Sequence, residues 1–267
     1  MKRRTIILIG VLAITASAAY AGWPRAADLR AFDPAAMARL ETAMWRSYYD
    51  RRRLPLFGQL VALLRGQFQL SPARSLALAF LAARAAAVFQ VGRDHADYGR
   101  ALPYLERYYA AILTVSEVPF DAARTARLEL DWWVVHREAA DRPPGELERA
   151  LADLAAELYR VPAERLAVHA ERRAEAMTVR DQRAQEPGGV AEADWERIES
   201  VLRLAWRSLA AELRADATAD RSPKVPAGRA GAGAGTGGWP RSAGGSRRPA
   251  RRGPRAACPP RRRCWRR

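Results

Sequence analysis

The chain is short of the residues from which sites are usually built. It has two cysteines in 267 residues, Cys258 and Cys264, and both lie in the last ten. A disulfide framework or a thiolate zinc site is therefore excluded from everything before them. It has three histidines, His95, His136 and His169. No Gly-rich phosphate loop, no G-x-S-x-G and no H-E-x-x-H occurs, so the common phosphate, acyl-transfer and zinc-protease signatures are missing. No run alternates with period two for long enough to make a strand. What remains is helical: apolar residues recur at three and four, in segments bounded by Pro, Gly and Asp.

Acidic residues are missing from both ends. Residues 221–267 hold 14 Lys+Arg and no Asp or Glu, and residues 1–21 hold Lys2, Arg3 and Arg4. Removing these from the total of 45 Lys+Arg leaves 28 basic residues against 29 acidic ones in 22–220. The pI near 11.0 thus belongs to the ends and gives no reason to assign nucleic-acid binding to the body.

Residues 1–21 read as a secretory signal or a membrane anchor. The basic start precedes an apolar stretch, Thr5 to Ile14, and Ala19-Tyr20-Ala21 is an A-x-A cleavage pattern. Residues 5–23 are alternatively just long enough to span a bilayer. Both readings place the body in the cell envelope, outside the cytoplasm. The other end, 216–267, reads as a disordered basic tail of Arg, Pro, Gly, Ala and Ser. It is either an arm for nucleic acid or anionic lipid, or an unselected extension. The absence of periodicity, and of nucleic acid outside the cytoplasm, argues for the second.

Between the ends, one stretch is written twice. Residues 32–48, FDPAAMARLETAMWRSY, align at an offset of 88 with residues 120–136, FDAARTARLELDWWVVH. Phe-Asp opens each copy, and the Asp suits a helix N-cap. Glu41, Trp45 and Tyr48 fall at i, i+4 and i+7, and so do Glu129, Trp133 and His136. Weaker echoes follow: Pro72-Ala73 with Pro162-Ala163, and Ala96-Asp97-Tyr98 with Ala193-Asp194-Trp195. The expected fold is all-α. About eight helices form two pseudo-repeated four-helix halves, 32–117 and 120–215, in one domain spanning 32–215. The two Phe-Asp helices are expected to meet face to face. The third helix, 72–90, is apolar enough to be expected in the core.

Its single charge, Arg84, needs a carboxylate if buried, so pairing with Glu41 or Glu129 is expected. His95 and His169 read as solvated, and His136, one turn beyond Trp132 and Trp133, reads as a packed boundary histidine or an acid/base group. Glu129 and His136 are about 10.5 Å apart along a helix, too far for one metal ion, and neither a metal nor a cofactor is expected. The candidate binding residues are Glu41, Trp45, Tyr48, Arg84, Glu129, Trp133 and His136, with no catalytic residue assigned. They would line a small-molecule or enzymatic pocket. That pocket is the alternative: the absence of enzyme motifs favours an exported or membrane-tethered, non-enzymatic helical module that binds an envelope protein, peptide or ligand through aromatics such as Tyr104, Tyr108 and Tyr109.

MWRSYY (44–49), LELDWW (128–133), RDQR (180–183) and AEADW (191–195) resemble an uncharacterised family of bacterial all-helical proteins. The resemblance covers about residues 32–215, and it implies a shared helical fold and no particular chemistry.

Overall fold

The computed structural model describes residues 26–140 and 142–221. The segment 1–21 and the tail from 222 onward lie outside the described residues. Eight helices of twelve residues or more are present among them: α1 (Pro34–Tyr49), α2 (Arg53–Phe68), α3 (Pro72–Val91), α5 (Leu102–Leu113), α6 (Ala122–Arg137), α7 (Glu146–Tyr159), α8 (Ala167–Gln185) and α9 (Glu192–Arg221). A five-residue α4 (His95–Gly99) and a 3-10 turn (Ala163–Leu166) complete the described residues. There is no strand among them, only an isolated parallel bridge from Ala27 to Ser116. The fold class is all-α, as expected.

Local chemistry explains the boundaries. Asp33 and Asp121 each accept a hydrogen bond from the backbone two residues on, at 2.9 Å, with nearly the same backbone angles. Both helices then run for sixteen residues. Ser71 caps α3 ahead of Pro72. Pro103 sits in the first turn of α5, where its missing N–H costs nothing. The short α4, His95–Gly99, precedes it as a separate helix. The last helix continues through 216–221, so the start of the expected disordered tail is helical instead.

The helices form a closed ring. Each packs on the next, in the order α1, α2, α3, α5, α6, α7, α8, α9, and α9 packs back on α1. The connections are short, so neighbours run in opposite directions. Gly66 leaves room for Met37 of α1, because a Cβ there would lie 2.7 Å from Met37 Cε. The ring corrects one expectation. α1 and α6 are not packed face to face; they stand four places apart, on opposite sides.

Residues 27–32 cross one end of the ring as a strap. Ala27 donates to Val115 O at 2.7 Å and accepts from Glu117 N. Gln69, in a left-handed conformation at the end of α2, donates to Asp28 O and Ala31 O. Arg30 donates to Tyr159 O at 2.7 Å and pairs with Asp216 at 3.1 Å. Leu29 is fully buried, and Phe32 stacks edge-on against Trp206. The strap therefore ties together the C-terminal ends of α2, α5, α7 and α9.

The third helix is also not where it was expected. Only Ser75, Leu78, Ala79, Ala85 and Phe89 of α3 are buried. Its opposite face, with Leu76, Phe80 and Val91, is exposed. Leu78, Ala79, Ala85 and Phe89 supply the inner contacts, so a helix with no polar face leaves Leu76, Phe80 and Val91 outside.

Candidate functional site

The ring encloses a cavity of about 1140 Å³. Its exposed lining residues are Arg51, Arg53, Leu54, Ala87, Gln90, Val91 and Arg137. All lie at the end away from the strap, so the cavity is a cup: floored near Tyr159, Trp206 and Leu209, and open between the start of α2 and the ends of α3 and α6.

Glu41, Trp45, Tyr48, Glu129, Trp133 and His136 all line this cavity. Arg84 does not. It is exposed on the outer face of α3, where it donates to the Tyr104 hydroxyl at 3.4 Å. The expected pairing of Arg84 with Glu41 or Glu129 is therefore replaced by another residue. Arg173 of α8, two places from α1 in the ring, donates twice to Glu41 Oε1, at 2.5 and 3.2 Å. Trp206 Nε1 donates to the other oxygen at 2.7 Å. Glu41 is 4% exposed, so this ion pair with its indole partner supplies the hydrogen bonds that a buried carboxylate requires.

Glu129 sits on the far wall. Tyr109 donates to one of its oxygens at 2.8 Å and Trp133 Nε1, one turn on in the same helix, to the other at 2.9 Å. The carboxylate thus has an in-helix partner that the sequence reading did not credit. Burial pushes the Glu129 pKa up, against the opposing pull of those donors and of the Arg173 charge. Burial likewise holds the Tyr108 and Tyr109 hydroxyls protonated, and raises Tyr159 to about 12.

His169 was expected in solvent and is instead buried beside Trp206. Its Nδ1 donates to Ala205 O at 3.0 Å, because a carbonyl can only accept. Burial, aided by the Arg173 charge, lowers its pKa to about 3, so it is neutral. His95 is exposed, 3.3 Å from Glu138.

Nearer the mouth, His136 Nε2 lies 2.9 Å from Asp181, which also accepts from Arg180 at 2.7 Å. Burial pushes Asp181 up, but these bonds outweigh it and the pKa is lowered. The Arg180 guanidinium lies 3.1 Å over the Tyr49 ring. Its Nε, and Ser47 Oγ on the same cavity wall, are buried without a hydrogen-bond partner. No family model, curated protein or solved structure matches the chain.

Sequence reasoning missed Arg173, Trp206, Asp181 and Arg180. The available signal was the spacing of His169, Arg173, Met177 and Arg180/Asp181, which marks one stripe of α8. The abundant Arg and Glu around it hid that stripe. Among the described residues, no group of three His, Cys, Asp or Glu side chains could hold a metal ion.

Proposed function

We propose that the protein is a binding protein of the cell envelope whose helical ring holds an elongated, mostly apolar small molecule with an anionic end. The cavity carries this reading. It is a cup of about 1140 Å³, open at one end and lined mainly by apolar side chains, so water or a ligand fills it. The volume lies somewhat above the roughly 300–1,000 Å³ usual for ligand pockets.

The lining supports the ligand class. Leu60, Leu63, Phe68, Leu105, Leu154 and Leu158 make an apolar interior. Its charges are internally satisfied at Glu41–Arg173. At the mouth the balance is basic: Arg51, Arg53, Arg137 and Arg180 stand against Asp181. Neither Arg51 nor Arg53 makes a side-chain ion pair among the described residues. Apolar matter enters and an anionic head stays at the rim. The basic, apolar N-terminal segment supports an address in the envelope, with the body outside the cytoplasm.

The second reading, a docking module without a ligand, is favoured by one observation: Glu41 is satisfied by the protein alone. Native mass spectrometry of the chain purified without detergent separates the two. One retained amphiphile per chain, recovered as a carboxylate or phosphate in the organic extract, is expected. A chain free of adducts that also takes up no added long-chain fatty acid or lysophospholipid would overturn the reading.

A further inference from the structure

We propose that the outer face of α2 and α3 docks on an anionic membrane surface, with the cavity mouth at its edge. The inference stands on the outside of the ring and does not depend on what fills the cavity.

Residues 51–93 contain seven arginines and not one Asp or Glu. That stretch is all of α2 and α3, two adjacent helices of the ring. The rest of the body, 22–50 and 94–220, holds 21 basic residues (28 − 7) against 29 acidic ones, so one sector carries a concentrated positive charge. Of those seven, only Arg52 pairs with a carboxylate among the described residues, with Asp50 at 3.6 Å. Arg74 and Arg84 donate instead to the hydroxyls of Thr114 and Tyr104. Their charge is left for an external partner.

The same sector is apolar outside. Six large hydrophobic residues are exposed among the described residues, and four are here: Leu54 at 87%, Val91 at 76%, Phe80 at 58% and Leu76 at 51%. On α3, Leu76, Phe80, Ala87 and Val91 are spaced by four, seven and four, which puts them on one stripe. α3 is long and apolar enough to cross a membrane by composition alone, with 28% of that window buried. A helix of twenty residues that the ring holds by one face is better placed to lie flat. Its exposed Leu and Phe would enter the headgroup boundary, and the arginines would meet acidic lipid.

Charge decides against a second copy as the occupant. Two such faces would bring fourteen arginines together with only the two Asp50 carboxylates to offset them. A bilayer with acidic headgroups offers the complementary sign and an apolar layer beneath it. Leu54, Arg53 and Val91 belong both to this face and to the mouth, so a docked ring would open at the lipid surface.

The test is hydrogen exchange on the full chain, read peptide by peptide, with vesicles of neutral lipid and with vesicles containing about one-third acidic lipid. Exchange in 72–91 should slow severalfold with acidic vesicles, less so in high salt, and not with neutral ones. The double variant Leu76→Glu, Phe80→Glu alters exposed side chains, so it should keep its helicity and lose that slowing. Vesicle-bound protein with no change in 72–91 would show attachment only through an end of the chain. Slowing without vesicles that grows with protein concentration would show self-association. Equal slowing on neutral vesicles would remove the electrostatic part. Each of the three overturns the proposal, and none bears on whether the cavity binds a ligand.

Discussion

At Glu41 the energetics are set by burial. The carboxylate has traded water for Arg173 and Trp206, and removing the guanidinium strands a charge in the interior. Arg173→Met should cost about 3–5 kcal/mol, measured by urea unfolding. Arg84→Met should change stability by less than about 0.5 kcal/mol, because Arg84 is exposed and meets only a tyrosine hydroxyl. Equal losses in the two variants would contradict the assignment. His169 gives a pH signature. Its pKa is about 3 when folded and ordinarily 6.5. Between those values the unfolded chain binds a proton that the folded chain refuses. Stability therefore falls as pH is lowered through that window, by up to about 1.4 kcal/mol per unit. Glu129 acts in the opposite sense. With its folded pKa raised, its contribution is present below its ordinary range and is lost as pH rises through the folded value. In His169→Gln the slope between pH 6 and 4 should flatten by nearly one proton, followed by thermal unfolding across pH; an unchanged slope would contradict a buried neutral imidazole. Why His169 looked exposed in the sequence is clear: Glu171, Arg172 and Arg173 surround it, and the one of these that points inward carries a charge.

Among the elements, the strap depends least on local sequence. Residues 27–32 carry no helical pattern, yet Leu29 is fully buried and Arg30 joins α7 to α9. Nothing in a short irregular segment reveals which helix ends it will cross. Leu29→Ala should destabilise the protein by about 2–5 kcal/mol, as measured by denaturant titration; a loss under about 0.5 kcal/mol would mean the strap is not part of the fold. Helix starts were legible because their chemistry is local. Asp33, Ser71 and Asp121 each stand before the first helical turn and accept its free N–H groups. Asp33→Ala and Asp121→Ala should each cost about 1 kcal/mol, and similar losses in both would match their shared geometry. The placement of α3 was not legible. Composition says how apolar a helix is, and here the ring leaves one whole side of it uncovered.

For the whole molecule, the all-helical class and the count of about eight helices could be read from the sequence. The way the helices close could not. A pairwise match between Phe32–Tyr48 and Phe120–His136 suggests contact, whereas the ring places these helices across a cavity. Glu41, Trp45, Tyr48, Glu129, Trp133 and His136 still line one space, because residues that face inward from opposite walls share a lumen without touching. The repeat itself stays a proposal about origin, supported by the matched caps and the equal lengths of α1 and α6. The central claim is that this lumen is open and takes up an apolar molecule. It is tested by titrating a long-chain fatty acid against the native tryptophan fluorescence, since Trp45, Trp132, Trp133 and Trp206 all line the wall. The variant Ala155→Trp, which fills the interior, is titrated alongside. The native chain should saturate at one ligand per chain, and the filled variant should fold with equal or greater stability and bind at least tenfold more weakly. A native chain that does not respond, or a variant that cannot accommodate the added ring and unfolds, would contradict the account.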